Sequence, residues 1–434
     1  MKRLLIISYY WPPTGGSGVQ RWVKFAKYLP SFGWQPVVYT PENPEQLAVD
    51  ESLLSDVPEE AEIIKTHITE PYGLYRKFFG GSSKSTEKGT GLNPLNSQKK
   101  SWKQKLAVLL RGNLFVPDPR VWWVRPSVKY LKDYLEKHPV DAMVTTGPPQ
   151  SMHLIGLGLK KAMGDKAPRW IVDFRDPWTQ MFYFKHLGLL PLAERKHRRL
   201  EQRVLDAADD IISVTPLVQA DFQAATKTPV HLITNGFDPS DYPESKYVPG
   251  ERFTIVHTGL FASDGNPLAL WDILSEKCAA DLAFAGALRI ILAGKVDPEI
   301  VEAVRSRGLE ANLELPGYLP HEATVALQSS ASMLILPLRR EPEYRKVLPG
   351  KIFEYLAARR PVLGIGQEDG AAATVLRTAG SGEMYDWENR EPMELFLGRQ
   401  WKSFLEGDCS PVGNDIDTYS RITLTGRLAG LLAK

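Results

Sequence analysis

Cysteine is nearly absent from this 434-residue chain: Cys278 and Cys409 stand alone, far apart and in no CxxC spacing, which excludes a disulfide framework and a cysteine-built zinc site. A reducing compartment suits such a chain. Charge of one sign is also lacking, with 53 Lys and Arg against 51 Asp and Glu. A dedicated nucleic-acid binder carries a concentrated basic surface, so nucleic acid is not an expected partner and any anion site must be local. No apolar run approaches the ~18 residues needed to span a bilayer. Met1-Lys2-Arg3 followed by Leu4-Leu5-Ile6-Ile7 imitates a secretion signal, yet the run ends at Ser8 and meets Trp11-Pro12-Pro13. A cytoplasmic protein is expected, at most peripheral on the inner face of the membrane. Nothing in the pattern calls for a metal or another cofactor.

What is present is ordinary globular composition, 43% hydrophobic and 24% charged, in a length that allows about two to three domains. Leu4–Tyr9 is a short apolar run. Val19–Phe32 then carries Trp22, Phe25, Ala26 and Leu29 at helical spacing, and Pro36–Thr40 is strand-like again. The alternation resumes at Asp141 and continues to Thr234; a second series runs from Phe253 to Ile365. Strands alternating with helices predict doubly wound parallel sheets covered on both faces. The expected organisation is an α/β chain: a first Rossmann-like domain over 1–238 with an insertion at about 42–140, a second over 239–418, and a closing amphipathic helix over 419–434 that returns to the first domain. Two such sheets on one linker imply a cleft between them, a common place for a ligand.

Within the insertion, Gly80–Lys100 is rich in Gly, Ser, Asn and Lys and reads as a surface loop. Beyond it Trp102, Leu106, Leu109 and Leu110 form one helical stripe beside Lys103, Lys105 and Arg111, followed by Arg120, Trp122-Trp123 and Arg125. Such a segment suits an anionic membrane interface, where indoles sit at headgroup level. It suits equally a helix packed on its own domain.

Three constellations carry chemistry. The loop Pro13-Thr14-Gly15-Gly16-Ser17-Gly18 lies between the first strand and the first helix, where Gly15 and Gly16 allow close backbone approach to an anion. It is not a dinucleotide fingerprint, because the third glycine of GxGxxG would fall at Arg21. Trp170 to Trp178 places Asp173, Arg175 and Asp176 at a strand's carboxyl end, where open α/β sheets bind ligands. These three, with His153 near the start of the helix after Thr145-Thr146-Gly147-Pro148-Pro149, are the catalytic candidates; a structural ion pair and a packing histidine are the plain alternatives. The third runs from Glu343 to Val362. Pro349-Gly350 halts the chain before a helix whose free N–H groups, with Lys351, suit a diphosphate, and Glu354 one turn on can accept from two vicinal ribose hydroxyls.

At these residues the chain resembles the GT-B glycosyltransferases of family 4. The likeness rests on the glycine loop Thr14–Gly18, the linker Thr234-Asn235-Gly236-Phe237-Asp238, the Asp173–Trp178 element and Pro349–Glu354 followed by Arg360-Pro361-Val362. It runs from Lys2 to Pro361. The resemblance implies a GT-B fold and retaining transfer of a sugar from a nucleotide-sugar donor, held by the second domain, to a glycan or lipid-linked acceptor in cell-surface polysaccharide synthesis. It implies donor binding by Gly15, Gly16, Gly259, Arg345, Lys346, Gly350, Lys351 and Glu354. Two departures stand out. The family's first motif glutamate would fall at Lys346, and the basic pair after the first donor-domain strand is missing from His257-Thr258-Gly259-Leu260-Phe261-Ala262-Ser263. Phosphate neutralisation then rests on Lys351, with Arg345, Lys346 or Lys295. A nucleotide-sugar epimerase and a non-catalytic nucleotide-sugar binder are the rival readings.

Overall fold

The computed structural model describes residues 1–45, 49–70, 112–181, 184–242, 250–408 and 410–434. The chain divides into two compact units, Met1–Thr234 with Leu424–Lys434, and Asn235–Thr423. No helix among the described residues is long and apolar enough to cross a membrane.

The first unit contains β1 (Lys2–Ile7), α1 (Ser17–Tyr28), β2 (Trp34–Pro41), β3 (Glu62–Thr66), α2 (Val121–Lys137), β4 (Ala142–Gly147), α3 (Ser151–Met163), β5 (Arg169–Phe174), α4 (Pro191–Ala207), β6 (Asp210–Ser213), α5 (Pro216–Ala225) and β7 (Val230–Leu232). Its seven strands are parallel in the order β3-β2-β1-β4-β5-β6-β7. Leu4, Leu5, Ile6 and Ile7 are all fully buried, as a central parallel strand requires when helices cover both faces. One face is closed by Trp123, Leu131, Met152, Ile155 and Leu159 of α2 and α3. The other is closed by Trp22 and Phe25 of α1 together with Leu424, Leu428 and Leu432.

The second unit contains β8 (Phe253–Thr258), α6 (Leu268–Ala280), α7 (Leu282–Ala287), β9 (Leu288–Ala293), α8 (Pro298–Arg305), β10 (Leu313–Gly317), α9 (His321–Ser329), β11 (Met333–Pro337), α10 (Lys351–Ala358), β12 (Val362–Ile365), α11 (Ala371–Thr378), β13 (Gly382–Tyr385) and α12 (Arg390–Leu405). Its strands are parallel in the order β10-β9-β8-β11-β12-β13. The last helix, α13 (Arg421–Leu432), gives its leucines to the first unit's core, where the Leu431 carbonyl accepts from Arg169 Nη1 at 2.9 Å.

Two regions differ from the sequence reading. The stretch treated as an insertion contains β3, in register with β2 (Val37↔Glu62), and α2, which packs on α3 so closely that a Cβ on Gly158 would meet Val128 Cγ2 at 2.5 Å. Both belong to the domain. Pro126 inside α2 masks its periodicity, since proline ordinarily breaks a helix interior. Of the segment read as membrane-facing, Trp102 to Arg111 lies outside the described residues, as does Gly80–Lys100. Arg120 is buried, while Trp123 is buried and stacks on Tyr39 at 4.9 Å, so at these two positions the side chains pack on their own domain.

Candidate functional site

In the second sheet the connections from β8 and β11 leave in opposite directions, and the crevice outside the carboxyl ends at such a switch point is where sheets of this kind bind ligands. The backbone there is drawn tight. Gly259 and Gly294 have φ of 95° and 107°, and a Cβ on Gly294 would lie 2.4 Å from the Gly259 carbonyl oxygen, so only glycine fits. Pro349 and Gly350 then lead into α10, which brings Lys351 and Glu354 onto one face. Lys351 Nζ donates to Leu260 O at 3.1 Å and faces His257 Nε2 at 3.2 Å. Burial lowers the Lys351 pKa to about 8, against the opposing charge of Glu354.

Glu354 is only half used. Its Oε2 accepts from Gln328 Nε2 at 3.1 Å, whereas its Oε1 has no hydrogen bond among the described residues. Gln328 is fully buried; its Nε2 also donates to Thr258 Oγ1 at 2.9 Å, and its Oε1 accepts from Tyr242 at 3.2 Å. These bonds set the orientation of the amide and with it that of the carboxylate. The free oxygen and the ammonium one turn away can hold a vicinal diol and an anion. Of the other expected donor residues, Gly350 is exposed, Lys346 is partly buried, and Arg345 is an exposed side chain paired with Asp369 at 2.9 Å. Lys295 is exposed.

The first sheet has its own switch point between the paired strands β1 and β4, whose onward connections run in opposite directions. Asp173 closes β5 beside it and is fully buried. Its carboxylate accepts from Arg21 Nη2 at 2.9 Å, Trp22 Nε1 at 2.7 Å and Thr146 Oγ1 at 2.9 Å. Burial alone would raise its pKa; the Arg21 charge and these donors outweigh burial and hold it below the ordinary carboxylate value. Arg21 in turn reaches the carbonyls of Thr234 and Ile233 at 2.7 and 2.8 Å. Asp173 is therefore an internal anchor, and the expectation that it works on a substrate is corrected here: both oxygens are occupied and neither meets solvent. His153 is interior too, but its ring is not saturated: it is fully buried, its Nδ1 lies 2.9 Å from Thr145 Oγ1, its Nε2 has no hydrogen-bond partner among the described residues, and burial lowers its pKa to about 3, which holds it neutral.

Arg175 staples the loops, donating to Gly18 O at 2.7 Å and Pro148 O at 3.1 Å. Asp176 remains the accessible carboxylate, with 41% of its side chain open to water. Desolvation, opposed by Arg175, raises its pKa; the open edge limits the rise. Gly15 is half-buried and Gly16, at φ 103°, is exposed. Among the described residues no cluster of His, Cys, Asp and Glu is arranged to hold a metal ion.

The motif reading missed Arg21, His257 and Gln328 as members of these networks. Arg21 had a signal, since it follows Gly18 by three and precedes Phe25 by four on the apolar side of α1. The other two had none, because their partners come from other elements.

No protein-family model matches the chain, and no curated protein is similar to it in sequence. Solved structures are similar over the whole length. A sucrose-phosphate synthase from Thermosynechococcus elongatus is 13% identical with a TM-score of 0.58, covering 100% of this chain and 98% of its own. HepE from Anabaena, solved in complex with UDP and glucose, is 13% identical with a TM-score of 0.58 and 100% of both chains covered. WaaG, a glycosyltransferase of lipopolysaccharide biosynthesis, is 14% identical with a TM-score of 0.54, covering 99% of each. At such identities the likeness speaks to architecture, and the architecture is GT-B, two parallel-sheet α/β domains of seven and six strands.

Proposed function

We propose that the chain is a retaining glycosyltransferase of the family 4 type, which moves a sugar from a nucleotide-sugar donor to a glycan or lipid-linked acceptor in cell-surface polysaccharide synthesis. The observation that carries this reading is the pair at the head of α10: an oriented Glu354 with one free oxygen, and Lys351 with its ammonium at a glycine-lined turn. Solved structures of the same fold hold such donors, among them HepE in complex with UDP-glucose.

In this reading Glu354 Oε1 takes the ribose hydroxyls. Lys351 stabilises the diphosphate as the sugar carbon–oxygen bond breaks, because charge that develops in the transition state is best met by preorganised donors; the first-turn N–H groups of Ile352 and Phe353 are already spent on the Pro349 and Gly350 carbonyls at 3.1 Å each. The new bond forms from the acceptor oxygen on the same face, and the acceptor proton leaves with the diphosphate. Asp176 is the carboxylate available to orient that acceptor hydroxyl. Arg175 shapes the loop, with two of its five N–H groups donating to the Gly18 and Pro148 carbonyls.

A peripheral contact with anionic membrane on the cytoplasmic side is part of the proposal, and its surface is moved from Trp123. Leu114, Trp122, Leu190 and Leu192 are 67%, 52%, 54% and 78% exposed. Asn113 ties their two segments together, donating to Gly188 O at 3.2 Å and accepting from Leu190 N at 2.7 Å. Exposed Arg195, Lys196, Arg198, Arg199 and Arg203 follow on α4. Apolar side chains flanked by cations match an anionic interface.

The test is release of nucleoside diphosphate from a panel of nucleotide sugars, with and without glycan and lipid-linked acceptors. Transfer by the parent and its loss in Lys351→Ala are expected. A donor at about a hundred times its dissociation constant should add about 2.7 kcal/mol of stability; a panel in which nothing binds overturns the reading. One of the similar structures is described as a UDP-N-acetylglucosamine 2-epimerase, at a TM-score of 0.51 and 12% identity. Epimerised donor formed without acceptor would favour that second reading.

A further inference from the structure

Beneath the α10 crevice lies a histidine in a strand that is otherwise apolar at its centre. His257 follows Ile255 and Val256 on β8, and all three are fully buried. Its Nδ1 stands 3.2 Å from Ile335 O, its Nε2 stands 3.2 Å from Lys351 Nζ, and the Phe261 ring lies against it with centroids 4.5 Å apart. A carbonyl oxygen can only accept, so the ring hydrogen belongs on Nδ1, and the neutral ring then presents Nε2 as a lone pair. Burial and the neighbouring ammonium push the ring pKa well below its ordinary value, which keeps it neutral.

Lys351 therefore has two fixed acceptors, the His257 lone pair and the Leu260 carbonyl. A lysine side chain is otherwise long and rotamer-rich. The titratable groups facing its ammonium are His257 from β8 and Glu354 on its own helix; the β8–α6 loop contributes the Leu260 carbonyl and the Gly259 backbone.

We infer that His257 is a positioning residue whose Nε2 lone pair holds the Lys351 ammonium in one orientation at the crevice, so that a single lysine serves a diphosphate. The inference rests on the donor-site reading of that crevice. Without the lone pair the buried ammonium keeps one protein acceptor and gives up its proton more readily, so anion binding should fail at a lower pH.

UDP is the probe, titrated calorimetrically into the full chain from neutral to alkaline pH. Parent affinity should fall as pH rises through about 8, where Lys351 deprotonates. In His257→Leu the fall should move down by about one pH unit, with roughly fivefold weaker binding at the parent midpoint and about tenfold well above it, as loss of a hydrogen bond to a charged group implies. His257→Gln, which can offer an oxygen at the place of Nε2, should restore the parent profile. UDP that binds Lys351→Ala as tightly as the parent overturns the donor-site reading. UDP that is lost in Lys351→Ala while His257→Leu keeps the parent midpoint overturns the role of His257 alone. Should His257→Leu fail to fold, nitrogen-15 spectra of the parent decide: hydrogen on Nδ1 with bare Nε2 supports the inference, and the opposite tautomer or a protonated ring near neutral pH overturns it.

Discussion

Two carboxylates stand at the carboxyl ends of the two sheets, and their surroundings give them opposite uses. Asp173 is sealed among Arg21, Trp22 and Thr146 with no exposed surface. Glu354 is held by one amide and keeps an oxygen free. The same functional group thus serves as a fastener in one unit and as a docking point in the other. Saturation of its lone pairs decides which, because a carboxylate with all acceptors filled and no solvent path has nothing left to offer a ligand.

The hardest test of this contrast is stability. Asp173→Asn should cost about 3–5 kcal/mol in urea unfolding, because it leaves the Arg21 guanidinium buried without its counter-charge. Glu354→Gln should cost under about 1 kcal/mol, as a partly exposed site allows. Full stability with lost turnover in Asp173→Asn would break the comparison and return that residue to the catalytic list.

Ligand binding should invert the order. Glu354→Ala should weaken a nucleotide-sugar donor at least tenfold, through loss of hydrogen bonds to a charged acceptor at about 1.5–3 kcal/mol each. A 2′-deoxyribose donor sharpens the result: the parent should discriminate against it, Glu354→Ala much less, and Lys351→Ala as strongly as the parent. Equal binding of both donors to the parent would place the ribose elsewhere.

Acid tests the buried rings, which both units contain. His153 is held neutral in the first unit with its pKa lowered to about 3, while an unfolded histidine takes a proton near pH 6.5. Its contribution to stability is complete above that value and is lost as pH falls, by about 2 kcal/mol at pH 5. Denaturant midpoints across this range should show the decline, and His153→Gln should remove its share, leaving the part that the buried rings of His197 and His257 contribute. A parent that is equally stable at pH 7 and pH 5 would contradict the buried neutral ring.

The smallest effect expected is at the exposed leucines. Leu190→Ser with Leu192→Ser should reduce flotation on anionic vesicles several-fold, and raised salt should reduce it further, since each cation near such a surface contributes about 1 kcal/mol. Flotation indifferent to both changes would leave that face as ordinary surface.

Much of this was legible in the order of residues. The run Leu4–Ile7, the stripe Trp22, Phe25, Ala26 and Leu29 and their repetition along the chain identify parallel doubly wound sheets, because strand and helix periods are local properties of the chain. Pro349-Gly350 before Lys351 and Glu354 likewise marks a helix start that brings a cation and a carboxylate to one face, a local matter of backbone geometry. Whether a given charge is free could not be read that way. Arg21 and Asp173 are 152 positions apart, and Gln328 and Glu354 belong to different helices, so only folding brings each pair together. Tertiary structure decided that Asp173 and His153 are interior, that Glu354 keeps an oxygen free and that His257 lies under Lys351, since burial and lone-pair occupancy depend on partners the neighbouring sequence does not name.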